Sequence, residues 1–96
     1  MDAVLKYHHK ALLRNRFVVE IVIYEVVITR KYPDGVKYRL ICMDQKEGKK
    51  ILMDNHHPKG PHIHIDDEEF EYSYISEDKL MEDFNKLILT HMGVSL

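Results

Sequence analysis

The chain has 96 residues, of which 45% are hydrophobic and 31% are charged, and its formal net charge is −2. This length suffices for one domain, residues 1–96, with a single hydrophobic core, and the composition excludes a disordered chain. The small net charge excludes binding to nucleic acid through a global positive field, so such binding would need a local basic patch. The single cysteine, Cys42, cannot form an internal disulfide. We therefore expect a cytoplasmic protein that does not enter a membrane.

The first half of the chain predicts strands. Residues 4–13 fit both an alternating strand and one face of a helix, so this segment stays ambiguous. Residues 17–29 are dominated by β-branched side chains, which pack well on pleated sheets, and they predict a long strand. The turn Tyr32-Pro33-Asp34-Gly35 then leads into residues 36–44, which alternate in polarity. Together these two runs predict an antiparallel hairpin.

The second half predicts further strands and one helix. Residues 50–54 and 62–65 alternate and are separated by a loop that contains proline and glycine. Residues 66–69 predict a solvated acidic turn, after which Phe70, Tyr72 and Tyr74 would form one face of another strand.

The C-terminal segment predicts an amphipathic helix. Ser76 is a good N-cap, the apolar residues that follow have helical spacing, and Gly93 can end the helix. We expect this helix to lie on the sheet. The predicted fold is therefore α+β, an antiparallel sheet of about five strands with one C-terminal helix packed on one face.

Histidines dominate the segment that could carry chemistry. Four of the seven lie in residues 54–64. On a strand His62 and His64 project from the same face, and two neighbouring imidazoles can serve as base and acid. Lys37 and Arg39 share a face of the preceding hairpin and could hold a phosphate. This pattern predicts a ribonuclease that needs no metal, in which one histidine takes the 2′-hydroxyl proton and another protonates the leaving oxygen.

Two other functions remain open from the residues alone. A His-x-His pair can supply two zinc ligands, so a metal-dependent hydrolase would use His62 and His64 with His57, His56 or Asp54 as the third ligand. Alternatively, the chain is a binding module without catalysis, and the histidine loop is simply polar surface. The ribonuclease prediction requires no cofactor.

Several short motifs occur in a specific order along nearly the whole chain. The most specific are Lys37-Tyr38, Asp54-Asn55 and His62-x-His64; the others lie within residues 5–10, 19–24, 35–40, 59–65, 69–72, 75–76 and 80–84. In this order they resemble the TumE-like toxins of type II toxin–antitoxin systems. Two departures are Pro61, where the family often has Asp, and Asn15-Arg16 at the first turn.

The resemblance implies a small toxin, a proposed ribonuclease, encoded beside a DNA-binding antitoxin, and it favours a strand for residues 4–13. It points to Lys37, Tyr38, Asp54, Asn55, His62 and His64. With the reasoning from spacing, the predicted catalytic residues are His62, His64, Lys37 and Asp54, and the predicted substrate contacts are Arg39, Tyr38, Asn55 and His57. The expected partners are RNA and the cognate antitoxin, and a homodimer is compatible with both.

Overall fold

A computed structural model describes residues 3–96, and Met1 and Asp2 lie outside the described residues. The described chain forms one antiparallel sheet with sequential strand order, and a C-terminal helix packs on it. The α+β prediction is confirmed, with six strands where about five were expected. The elements are β1 (Val4–Leu13), β2 (Phe17–Glu25), β3 (Val36–Asp44), β4 (Lys50–Asp54), β5 (His62–Ile65), β6 (Glu68–Glu71) and α1 (Glu77–Met92).

The predicted hairpin of β2 and β3 is present, but β2 ends earlier than residue 29. Strand pairing stops where Glu25 faces Val36, and the Val26 amide then donates to the Gly35 carbonyl at 3.0 Å. The Gly35 amide donates to the Tyr32 carbonyl at 3.1 Å, and Gly35 has a φ of 70°, as a tight turn with glycine requires. Residues 26–29 therefore belong to the hairpin loop because no strand lies opposite them.

The predicted acidic turn at residues 66–69 is wrong in its extent. Only Asp66 and Asp67 form the turn, and β6 begins at Glu68 opposite Ile65. Asp66 takes a positive φ of 54°, and its Oδ1 accepts a hydrogen bond from the Lys50 amide at 2.8 Å. An aspartate that tolerates this conformation allows a two-residue connection. The glutamates that follow therefore lie on a strand.

Helix α1 covers one face of the sheet. It begins after Ser76, whose Oγ accepts from the Lys79 amide at 3.1 Å, and ends at Gly93, whose amide donates to the Leu89 carbonyl at 3.0 Å. Its buried side chains pack against the apolar face of β2, β3 and β4. These helix residues are Leu80, Phe84 and Ile88. No helix within residues 3–96 has the length and apolar character needed to cross a membrane.

Candidate functional site

The face of the sheet opposite α1, here called the open face, carries rows of polar side chains. Strand register places Arg39 opposite Asp54, and Asp54 opposite His62. Directly opposed residues of antiparallel strands share a face and lie close together. His64 follows two positions after His62, and the two imidazole rings have centroids 4.8 Å apart. The prediction that both histidines emerge on the same side of the sheet is confirmed.

The His62 ring is held between two oxygen atoms. Its Nδ1 lies 2.7 Å from the Gly60 carbonyl oxygen, and its Nε2 lies 3.1 Å from Asp54 Oδ1. The residue is only 7% exposed. Because both ring nitrogens face oxygens and little of the ring reaches solvent, His62 is placed to hold Asp54 rather than to exchange a proton with a substrate. The expectation that Asp54 lies against a histidine agrees with this geometry.

Glu69 joins the two histidines, and these three residues are called the histidine cluster below. Glu69 Oε1 lies 3.8 Å from His62 Nε2, 3.7 Å from His64 Nε2 and 2.8 Å from Lys59 Nζ. The hydrogen bond from Lys59, with the nearby positive charge, holds the pKa of Glu69 below its usual range. The ring nitrogens and the carboxylate oxygen of the cluster that could bind a metal ion lie within 4.8 Å of one another.

Glu69 was not among the predicted site residues, because it was assigned to a turn. Once β6 begins at Glu68, register alone places Glu69 opposite His64. Among the described residues, Glu69 rather than His57 is therefore the third potential metal ligand near His62 and His64.

Lys37 and Arg39 line a cavity of about 470 Å³ on the open face, here called the cation pocket. No ion pair within residues 3–96 involves either cation. Their charges thus remain available to an anion. The remaining lining residues are Val22, Tyr24, Tyr38, Asp54 and His56.

A second cavity of about 400 Å³ shares Lys37 and His56 with the cation pocket. It adds Lys31, Tyr32 and His57, so basic and aromatic side chains continue past the first cavity. The Lys37 ammonium lies 5.9 Å from the centre of the Tyr32 ring. His57 accordingly belongs to the surroundings of Lys37 and not to the histidine cluster.

Tyr38 was predicted to contact substrate and lines part of the cation pocket, but its side chain points to the face opposite those of Lys37 and Arg39. Its side chain is 3% exposed and stacks on Tyr74 with ring centroids 5.8 Å apart. Burial raises the pKa of Tyr38 well above its usual range. Strand alternation explains this placement, since neighbouring residues point to opposite faces. The position of Tyr38 therefore indicates a packing role.

Asn55 was also predicted to contact substrate, and its amide instead bonds to the backbone of β3. Asn55 Oδ1 accepts from the Tyr38 amide at 2.9 Å, and its Nδ2 donates to the Val36 carbonyl at 2.8 Å. The residue is 5% exposed. These two bonds continue the β3–β4 ladder beyond Asp54, so Asn55 fixes the strand segment that carries Lys37.

Two polar residues of the cation pocket, Tyr24 and His56, were missed as substrate contacts. Tyr24 faces Lys37 in the β2–β3 register, which the hairpin turn would have revealed. His56 was considered only as a metal ligand, because a loop residue has no periodicity that predicts where it points. Its amide donates to Asp54 Oδ1 at 3.2 Å, which places the loop beside Asp54.

Comparisons of the chain with protein families, with curated proteins and with solved structures find no match. The likeness to TumE-like toxins stays a prediction from the order of its motifs.

Proposed function

We propose that the protein is an endoribonuclease that needs no metal and binds an RNA phosphodiester in the cation pocket. The observation that supports this most is the pair of cations, Lys37 and Arg39, that no ion pair within residues 3–96 occupies, in a cavity that Asp54 and His56 also line. The resemblance to TumE-like toxins adds the biological setting: a cytoplasmic toxin held by a cognate DNA-binding antitoxin.

Phosphate binding follows from the spacing of the two cations. Lys37 and Arg39 are two positions apart on β3, which corresponds to about 7 Å along the strand. Their long side chains can converge on one phosphate, to which arginine offers paired donors and lysine a point charge. Each such charge-assisted hydrogen bond contributes about 1.5–3 kcal/mol.

Aromatic side chains beside the cations suit a single strand of RNA. Tyr24 lines the cation pocket, and Tyr32 lines the adjoining cavity. Unpaired bases stack on such rings whatever their sequence. The 2′-hydroxyl, which DNA lacks, is the nucleophile that the chemistry requires.

The pocket also holds one carboxylate and one imidazole for proton transfer. Asp54 would take the proton of the 2′-hydroxyl as its oxygen attacks phosphorus. His56, in its protonated form, would give a proton to the 5′-oxygen as the phosphorus–oxygen bond breaks. The products are a 2′,3′-cyclic phosphate and a 5′-hydroxyl. In this arrangement His62 is a positioning residue that holds Asp54.

The test uses purified, untagged protein and single-stranded RNA of mixed sequence in excess chelator. We expect cleavage that leaves 2′,3′-cyclic phosphate ends. Lys37→Gln and Arg39→Gln should each lower kcat/KM about 10- to 100-fold, the rate equivalent of one lost charge-assisted contact. Lys86→Gln, an exposed lysine on α1, should leave the rate unchanged and serves as the matched control.

Histidine variants then assign the roles. His56→Ala should lower kcat by roughly 10²–10⁴, the usual contribution of an acid or base. The His62→Ala, His64→Ala double variant should lower it through misplacement of Asp54, with a changed pH profile. Full activity in His56→Ala and in the double variant would overturn the proposal. Activity that disappears in chelator and returns with metal would indicate the metal-dependent hydrolase instead.

A further inference from the structure

We infer that Asp54, His62, His64 and Glu69 form a binding site for a borderline divalent cation, with Zn²⁺ as the best fit. The residues come from β4, β5 and β6, and all project onto the open face. The existence of this site does not depend on the proposed ribonuclease function. It differs from the metal site expected from sequence because it includes Glu69 and leaves out His56 and His57.

Three of the distances between these side chains are close to those around a tetrahedral ion. Zinc binds imidazole nitrogen and carboxylate oxygen at about 2.0–2.2 Å, which sets neighbouring ligand atoms about 3.3 Å apart. His62 Nε2 lies 3.1 Å from Asp54 Oδ1 and 3.8 Å from Glu69 Oε1. His64 Nε2 lies 3.7 Å from Glu69 Oε1. These three pairs need movements of up to about half an ångström to reach that spacing. The ligand atoms of His62, His64 and Glu69 lie within 4.8 Å of one another, so binding would also draw the two imidazoles and Asp54 closer around the ion.

The hydrogen bond on the far side of His62 supports a metal ligand. Its Nδ1 lies 2.7 Å from the Gly60 carbonyl, and only an N–H can satisfy that oxygen. Nε2 then faces Asp54 Oδ1 at 3.1 Å, and a metal ion would replace the proton that Nε2 needs to hold this carboxylate, while the Nδ1–H stays on the Gly60 carbonyl. Histidines that bind a metal through one ring nitrogen commonly donate a hydrogen bond from the N–H of the other to a carbonyl. This bond fixes the orientation of the ring and its tautomer.

The charges also match a divalent ion. Two carboxylates and two neutral imidazoles balance a charge of +2, and mixed nitrogen and oxygen ligands favour Zn²⁺ over Mg²⁺. Lys59 now pairs with Glu69, and its side chain is 60% exposed. It can therefore move into solvent when a metal ion takes its place. A bound ion would link β6, whose residues are all exposed, to β5 and β4.

The test titrates metal-free, untagged protein with ZnCl₂ by isothermal calorimetry and follows thermal unfolding by circular dichroism. We expect one ion per chain and a higher thermal midpoint with zinc. His64→Ala and Glu69→Gln should each weaken binding at least 10-fold. His57→Ala should bind as tightly as wild type and is the matched control, because His57 lies outside the cluster. Lys59→Gln should bind more tightly, since it removes a competing cation.

Absence of saturable binding at one ion per chain would overturn the inference, as would equal affinities in His64→Ala and His57→Ala. Circular dichroism of each variant without metal separates a lost ligand from a lost fold. One consequence rests on the proposed function. A zinc ion bound to Asp54 would prevent this carboxylate from taking the proton of the 2′-hydroxyl, so added zinc should slow RNA cleavage. If zinc binds and no RNA is cleaved under any condition, the inference of a metal site is supported and the proposed ribonuclease function is refuted.

Discussion

Asn55 offers the sharpest test of how the cation pocket is built. Asn55→Ala would leave the Tyr38 amide and the Val36 carbonyl without their present partners. A buried polar group that loses its partner costs about 1–3 kcal/mol. We therefore expect the free energy of unfolding to fall by about 2–6 kcal/mol. For a domain of this size each kcal/mol shifts the thermal midpoint by about 4–8 °C, so a drop of at least about 8 °C should follow.

The assay is urea unfolding followed by circular dichroism, with Asn85→Ala as the control. Asn85 is exposed on α1, so its removal should change stability by less than about 0.5 kcal/mol. Asn55→Asp keeps an acceptor for the Tyr38 amide but directs a carboxylate at the Val36 carbonyl, and it should also destabilise the fold. If Asn55→Ala unfolds within about 0.5 kcal/mol of wild type, the structural role of Asn55 is refuted and its predicted contact with substrate regains weight.

Two other changes test the electrostatics and the core. The pKa of Asp44 is held well below its usual range, first by the hydrogen bond from Arg16. Asp44 thus adds stability in full above about pH 4, the pKa of an unfolded aspartate, and that stability is lost as pH falls further. Asp44→Asn should therefore flatten the decline of stability below pH 4 in acid titrations, whereas Asp67→Asn, in the exposed turn, should keep the wild-type slope. Phe84→Ala should lower the unfolding free energy by about 3–5 kcal/mol in urea, because the ring is fully buried between α1 and the sheet; a loss under about 1 kcal/mol would contradict this packing.

Much of the fold follows from local patterns. Alternation located β3, β4 and β5, and the Ser76 and Gly93 caps marked both ends of α1. These signals succeed because one face of each element is buried, which imposes a period of two on strands and 3.6 on the helix. The strand state of residues 4–13 was ambiguous because both periods fit and β1 is largely exposed. Residues 4–13 form a strand because they pair with β2, and this pairing cannot be seen in the local pattern.

The site was only partly predictable, since its members depend on strand register and loop path. His62 and His64 share a face by simple alternation, as do Lys37 and Arg39. Glu69 was missed because the sequence does not show that Asp66 takes a positive φ, which allows a turn of only two residues after Ile65. Separation of the cation pocket from the histidine cluster is likewise a result of tertiary structure, because β4 lies between β3 and β5.

The sequential strand order has a consequence for synthesis of the chain. Each strand pairs with the strand synthesised just before it, so the sheet can form one strand at a time from its first hairpin. Each step closes only a short loop, and its entropic cost is therefore small. At about 5–20 residues per second, α1 leaves the ribosome after all six strands. Until Leu80, Phe84 and Ile88 arrive, the apolar side of the nascent sheet is uncovered and prone to aggregate. Truncation before residue 77 should therefore yield insoluble protein, even though every strand is present.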